Sequence, residues 1–336
     1  LTSRGAKFLP GKGLRKLKVF LRRAALADYL RRQRPEVLLS AASHAHLTAL
    51  AARRYAGTGT PVVLRSSTHL TASHAGAWNL YLRLRYRIVC RRYAEADAVI
   101  AISKGVAEDI AANTGLAPQR ITTIYNPVFT SDLLEKASAP LDHPWFAREA
   151  PPVILGVGRL AARKDFPTLL KAFALVRSQR PVRLVILGEG RMRKKLTKLA
   201  QSLNIVSDID MPGYVSNPLA WMSRASVFVL SSTAEGFATV LIEAMASGCR
   251  VVSTDCPSGP AEILENGEYG RLVPVGDYQA LARAIVAALD SPHDPEKLKR
   301  RAADFSVEKV VDDYLKVLFR VIQEKGGRNR LPAKAG

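Results

Sequence analysis

The chain has 336 residues, 48% of them hydrophobic, which suffices for two domains with ordinary cores. No apolar run approaches the ~18 residues of a membrane-spanning helix, and Cys90, Cys249 and Cys256 form neither an even disulfide framework nor a metal-ligand spacing, so the chain reads as soluble or surface-bound, in a reducing compartment, without zinc. The net charge of +21 is lopsided: residues 1–92 hold 19 Lys and Arg against only Asp28 and Glu36, or +17 of the total. One face of one domain is thus expected to meet an anionic partner: a phospholipid surface, a lipid diphosphate or a nucleic acid.

In chain order, residues 13–33 read as an amphipathic helix. Leu14, Leu17, Phe20, Leu21 and Ala24 share one side, and Arg15, Lys16, Lys18, Arg22 and Arg23 the other. Such a helix either docks on its own domain or lies on a membrane surface. Residues 78–92 interleave Trp78, Tyr81 and Tyr86 with five arginines, which suits a lipid headgroup layer and would also suit RNA. Strands are expected at 37–39, 62–64, 98–102 and 121–124, with helices at 46–55 and 104–113. Residues 138–152 hold four prolines and no periodicity, which marks a boundary. Beyond it, strands at 153–157, 182–187, 209–211, 227–230, 250–253 and 271–273 alternate with helices at 166–178, 192–203, 240–247 and 278–289. Alternation of this kind predicts doubly wound parallel α/β sheets with ligands at the carboxyl ends of the strands. The division is residues 1–140, a linker at 141–152, a second domain at 153–305, a helix at 306–324 and a disordered tail at 325–336.

Three runs at predicted strand ends carry chemistry. Residues 156–160 read GVGRL and are followed by Lys164, so two cations five residues apart can converge on one anion, although solvated side chains would look the same. Residues 187–190 read LGEG, whose glycines suit a tight turn beside a nucleotide or any sharp strand-to-helix turn. Residues 231–248, SSTAEGFATVLIEAMASG, end a strand and open a helix, with Glu235 in the loop and Glu243 eight residues on. A helix N-terminus offers amides and partial positive charge to a phosphate. Carboxylates beside it are suited to hydroxyls, hence to sugar and ribose.

The E-x7-E spacing of Glu235 and Glu243 within EGF…EAMASG resembles the donor motif of glycosyltransferase family 4. The run from Gly158 and Arg159 to Lys164, STDCPSGPAEIL at 253–264, AEADAVIAIS at 94–103 and IYNPV at 124–128 are similar to it as well. The resemblance spans roughly residues 35–319, and its wording is closest to bacterial enzymes of surface-polysaccharide assembly. It implies a GT-B fold, two Rossmann-like domains facing a cleft, the first incomplete because its opening strand and glycine-rich loop would precede residue 1. It implies that Arg159 and Lys164 bind the donor diphosphate with the helix N-terminus at Thr239, Val240 and Leu241, doing electrostatically what a metal ion does elsewhere. Glu243 would accept the ribose hydroxyls. Glu235, with Gly236, Phe237 and Ala238, would hold the sugar, and Gly188, Tyr214 and Val215 would line the nucleotide.

The implied reaction is metal-independent, cofactor-free and retaining. It moves a hexosyl or N-acetylhexosaminyl group, with UDP-sugar preferred over GDP-sugar, to a glycan or lipid-linked acceptor at the cytoplasmic membrane face. The protein would then be peripheral on an anionic inner surface rather than bound to nucleic acid. A family histidine falls at Ser67 by ungapped counting from Pro61; His69, two residues later, is the candidate for its role. Arg65 and His74 are weaker candidates, and His44 and His46 read as structural or surface residues. Two other readings stand beside this one: a basic membrane- or nucleic-acid-binding module with an unused cleft, and a GT-B-shaped sugar-nucleotide epimerase.

Overall fold

The computed structural model describes residues 12–71 and 80–328, with side chains at 21–71, 83, 84 and 86–326. Within these, the chain forms two compact units. One takes residues up to Ile102, Val106–Thr123 and the chain from Asp313; the other takes Ser103–Gly105 and Ile124–Asp312.

The first unit has a parallel sheet in the order β1-β2-β3-β4: Leu38–Ser40, Val62–Ser66, Ala98–Ala101 and Ile121–Thr123. Val62, Val63, Leu64 and all of β3 are buried, which is why these strands read as unbroken apolar runs. Helices α1 (Lys12–Gln33), α2 (Ser43–Ala56), α3 (Leu80–Tyr93) and α4 (Lys104–Thr114) alternate with them. Asp97 pins the start of β3 to its neighbours: its carboxylate accepts from Arg53 at 2.6 Å and from the Val62 amide at 2.8 Å. Helix α1 corrects the expected stripe. Among its described side chains, Ala27 and Leu30 are buried and pack with Ala52 of α2, while Leu21 and Ala24 are exposed. The pattern slipped because Leu26, Ala27 and Leu30 form their own helical face one turn later. Leu14, Leu17 and Phe20 on that stripe, Arg15, Lys16 and Lys18 opposite them, and Trp78, Tyr81, Arg85 and His74 lie outside the described side chains.

The second unit contains helix α5 (Asp132–Ser138) and a six-stranded parallel sheet in the order β10-β9-β8-β5-β6-β7. Its strands are β5 (Val153–Val157), β6 (Arg183–Leu187), β7 (Ile209–Gly213), β8 (Val227–Leu230), β9 (Val251–Thr254) and β10 (Arg271–Val273). Helices α6 (Phe166–Arg177), α7 (Arg193–Ser202), α8 (Leu219–Met222), α9 (Thr239–Ala246) and α10 (Pro260–Ile263) connect them, and α11 (Tyr278–Asp290) and α12 (Pro295–Ala303) follow the last strand. From β5 the chain winds outward through β6 and β7, then returns to β8 on the other side of β5, where Ile154 pairs with Val227. The strand order therefore reverses between β5 and β8, the place where doubly wound sheets open a crevice at their carboxyl ends. A core including Ile154, Leu169, Phe173, Ile186, Val229 and Ile285 supports that edge.

Residues 141–152, expected as a linker, lie inside this unit. Proline prevents periodicity there, yet the rings of His143 and Phe146 pack on Trp221, and His143 Nε2 lies 3.1 Å from Asp210 Oδ2. Helix α13 (Val307–Arg328) begins in the second unit and ends in the first, running past the residue 325 at which a tail was expected. In the first unit its Tyr314 hydroxyl accepts from Arg65 at 2.9 Å, and Lys325 pairs with Asp97 at 3.0 Å. Residues 329–336 lie outside the described residues.

Candidate active site

The loops that leave β5 and β8 meet at the switch point. The first leaves β5 through Gly158, turns at residues 162–164 and enters α6 through Asp165, which adopts a left-handed conformation. The second runs from Ser231 to Ala238 before α9. They are stitched together by backbone and hydroxyl bonds: Thr233 N donates to Arg163 O at 2.8 Å, and Ser231 Oγ to Lys164 O at 2.8 Å.

This stitching places Lys164 on Glu235. Lys164 Nζ donates to Glu235 Oε1 at 2.7 Å, and the two side chains are only 13% and 7% exposed. Ser232 Oγ, fully buried, donates to the same oxygen at 2.7 Å, and Thr254 Oγ1 holds the Ser232 carbonyl at 2.6 Å. Burial pushes the Glu243 carboxyl above the usual carboxylate range, while the Lys164 ammonium nearby pulls it down. Burial, with Glu235 adding to it, pushes the Cys256 thiol up to about 12 and leaves it an inert wall residue.

Of the four residues expected around the donor, Lys164, Glu235 and Glu243 are thus brought together. Arg159 lies on the same loop as Lys164 with an exposed side chain, and no contact joins it to the other three among the described residues. Two of the three amides expected to cradle phosphate are engaged: Thr239 N bonds to Phe237 O, and Leu241 N to Ala238 O, both at 2.9 Å. The Val240 amide has no such bond to the loop. No side chain caps this helix, whose N-cap is Ala238, as an open anion-facing terminus requires.

The glycines have a further, steric reason. A Cβ at Gly188 would overlap the carbonyl oxygen of Gly158, and one at Gly190 would overlap that of Leu160, because the loops after β5 and β6 touch backbone to backbone. Gly188 N also donates to Gly213 O at 2.7 Å, which carries the contact on to the turn after β7. Just beyond it, Tyr214 is 81% exposed and Val215 is half-buried. Gly236 is half-buried, and Phe237 and Ala238 are buried. Phe237 stacks on Tyr125, with centroids 5.2 Å apart and planes at 13°, and both rings meet Phe305.

Reading the sequence assigned no individual role to Ser232, Tyr125 and Gly259, although each lies in one of the quoted runs. Gly259 has φ +101°, and a Cβ there would come within 3.1 Å of Ala238 N, so the loop after β9 closes on the loop before α9 only through glycine. The signal for Ser232 was a pair of small polar residues directly after an apolar strand.

In the first unit His69 Nδ1 lies 3.2 Å from Asp109 Oδ1, and the same buried carboxylate accepts from the Leu70 and Thr71 amides. Asp109 therefore orients the ring of His69. Ser67 is half-buried, His44 is exposed, and His46 is buried with Nδ1 2.8 Å from Ser40 Oγ.

Cations and carboxylates at the switch point of a doubly wound sheet mark a candidate ligand site of an α/β protein, and comparison with known proteins gives the family. Residues 141–305 match the family described as Glycosyl transferases group 1, and residues 2–132 match Glycosyltransferase Family 4. The chain is 32% identical over 231 residues to the N-acetylgalactosamine-N,N'-diacetylbacillosaminyl-diphospho-undecaprenol 4-alpha-N-acetylgalactosaminyltransferase of Campylobacter jejuni, covering 68% of this chain and 61% of that protein. It is 30% identical to the lipopolysaccharide core biosynthesis glycosyltransferase LpsE of Rhizobium meliloti, covering 75% of this chain and 73% of that one. The solved structure of Anabaena HepE in complex with UDP and glucose superposes with a TM-score of 0.75 at 20% identity, covering 89% of this chain and 81% of that one. The chain belongs to glycosyltransferase family 4, and its fold is of the GT-B type.

Proposed function

We propose that the protein is a retaining glycosyltransferase that moves a sugar from a nucleotide-sugar, preferably a UDP-sugar, to a glycan or lipid-linked acceptor. The observation that carries this reading is the buried Lys164–Glu235 pair with Glu243 beside it at the switch point of the second unit. A donor diphosphate arriving at the N-terminus of α9 competes with Glu235 for the Lys164 ammonium. Lys164, joined by Arg159 from the same loop, then offsets the charge that develops on the departing nucleoside diphosphate, without recourse to a metal. Glu235, released from Lys164 and still held by Ser232, becomes an acceptor for the hydroxyls of the transferred sugar. Glu243 accepts from the ribose, and the exposed Tyr214 ring offers a stacking face to the base. His69, aligned by Asp109, is the polar group of the first unit for the acceptor side.

The relatives' names support the substrate class: the Campylobacter protein acts on a diphospho-undecaprenol-linked glycan and the Rhizobium protein in lipopolysaccharide core assembly. No helix among the described residues is long and apolar enough to cross a membrane. The excess of +17 in residues 1–92 favours a peripheral position on the anionic inner face of the cytoplasmic membrane, where each exposed cation contributes roughly 1 kcal/mol.

The test is a thermal-shift screen of UDP-, GDP- and ADP-sugars on the whole chain, followed by turnover of the stabilising donor in Glu243→Ala and Lys164→Ala proteins. Both variants are expected to lose turnover. Wild-type rates in both would remove the donor site, and nucleoside diphosphate released without any sugar transfer would favour the epimerase.

A further inference from the structure

Away from the donor residues, the first unit contains a cavity of about 460 Å³ lined by α1, α2 and α3. Its polar side chains are Arg23, Arg54 and Arg92, and its apolar ones include Leu47, Tyr55 and Ile88. Two of the three guanidiniums share one carboxylate: Arg92 donates to Glu95 Oε1 at 2.6 Å, and Arg54 approaches the same oxygen at 3.8 Å. Arg23 Nε is buried without a hydrogen-bond partner among the described residues. A buried, unsatisfied cationic donor is unfavourable unless a ligand completes it, and an anionic oxygen in the cavity would do so.

The surroundings say what kind of anion. Tyr55 and Ile88 are each more than half exposed, and Leu84, one turn before Ile88 on the same face of α3, is half exposed. Arg83, Arg87 and Arg91 of α3 are exposed as well. Aliphatic side chains standing among arginines suit the boundary between headgroups and acyl chains. Ile88 and Leu84 offer no flat face on which a base could stack, so Tyr55 is the one aromatic face among these three side chains.

We propose that this cavity is the headgroup pocket of a bilayer-docking face and that it takes the phosphate of an anionic glycerophospholipid. Arg23, Arg54 and Arg92 hold the phosphate oxygens, and Tyr55, Ile88 and Leu84 enter the interface. The proposal rests on the membrane reading above and deepens it, since it assigns the attachment to a built pocket rather than to diffuse charge.

The experiment uses the whole chain with two probes: monomeric short-chain phosphatidylglycerol below its micelle concentration, and phosphatidylcholine vesicles with and without phosphatidylglycerol. The pocket variant is Arg23→Gln with Arg54→Gln, and the equal-charge control is Arg83→Gln with Arg87→Gln. Wild type is expected to bind one soluble lipid per chain. The pocket variant should weaken that binding about tenfold or more, as loss of two charge-assisted contacts requires. The control should stay within about twofold on the soluble lipid, while losing up to about fivefold per charge on the anionic vesicles. Equal loss in both variants would overturn the pocket and leave only a charged surface. Inorganic phosphate binding as tightly as the lipid would assign the cavity to free phosphate, and an oligoribonucleotide bound in preference to vesicles would assign the face to nucleic acid. The UDP-dependent thermal shift, measured on the same variants, separates failure of this pocket from failure of the donor site and from misfolding.

Discussion

Replacing Lys164 by methionine tests the ion pair more sharply than loss of activity does. At neutral pH the change removes the positive partner of a carboxylate that is only 7% exposed, leaving Ser232 as its one remaining donor among the described side chains. Breaking a buried pair from one side costs about 3–5 kcal/mol, and the retained Ser232 bond argues for the lower end, about 3 kcal/mol. The penalty belongs to uncompensated charge. Adding Glu235→Gln should therefore restore stability to within about 1 kcal/mol of wild type without restoring turnover. Urea unfolding followed by tryptophan fluorescence measures this in the right unit, since Trp145 and Trp221 both lie there. A double variant no more stable than Lys164→Met would refute the argument, as it would mean that the lysine supports the loop by packing alone.

Gly188→Ala should destabilise the second unit by about 3 kcal/mol or more, measured by the same unfolding, because φ is +135° and the new methyl overlaps the Gly158 carbonyl. His46 is buried, and its pKa is lowered by that burial to about 4 from 6.5. The unfolded chain binds its proton below pH 6.5 while the folded ring refuses it, so this stability is complete above 6.5 and is lost as pH falls toward 4. It amounts to about 3 kcal/mol. Between those values His46→Gln should show a shallower stability slope than wild type, and identical slopes would sink the assignment. Glu243, raised by burial, should take up its proton above the usual carboxylate range, so donor affinity should fall on acidification. Titration calorimetry across pH should show that limb in wild type and not in Glu243→Gln. If Tyr214 stacks on the base, Tyr214→Ala should weaken nucleotide binding by about 1–3 kcal/mol without altering unfolding, since the ring is 81% exposed.

The sheets were legible because parallel strands buried on both faces leave unbroken apolar runs, as at 153–157, 184–187 and 227–230. The expected helices at 166–178 and 278–289 fall within a residue of α6 and α11 for a similar reason: their apolar spacing is clean over three turns. The helices Asp132–Ser138 and Pro295–Ala303 went unread. The first is two turns long, and the second is so basic that its buried face reduces to Leu298 and Ala302. The aromatic packing that fixes residues 141–152 was hidden because His143, Phe146 and Trp221 are far apart in sequence. Within the site, residue types and spacing pointed to Lys164, Glu235 and Glu243. They could not show that lysine and carboxylate bind each other, because the contact depends on two loops whose stitching is made by backbone carbonyls and serine hydroxyls.

That contact has a consequence for how donor and sugar are read together. A lysine already satisfied by Glu235 gives a phosphate less than a free lysine would, because binding must displace a bond of 2.7 Å inside a poorly solvated loop. The displaced carboxylate is not lost to solvent, since Ser232 Oγ and the loop around it remain fixed by Thr254 and by the stack of Phe237 on Tyr125. Its unmet acceptor capacity then lies beside the place where the sugar of the same donor would sit. A bare nucleoside diphosphate would force the exchange without supplying hydroxyls to Glu235, whereas the nucleotide-sugar supplies both halves. Glu235→Gln, which weakens the hold on Lys164, should therefore tighten UDP and weaken UDP-sugar, so the ratio of the two affinities should move by more than either affinity alone. Calorimetry of both ligands on wild type and variant measures that ratio, and parallel shifts for the two ligands would show that lysine and carboxylate act independently.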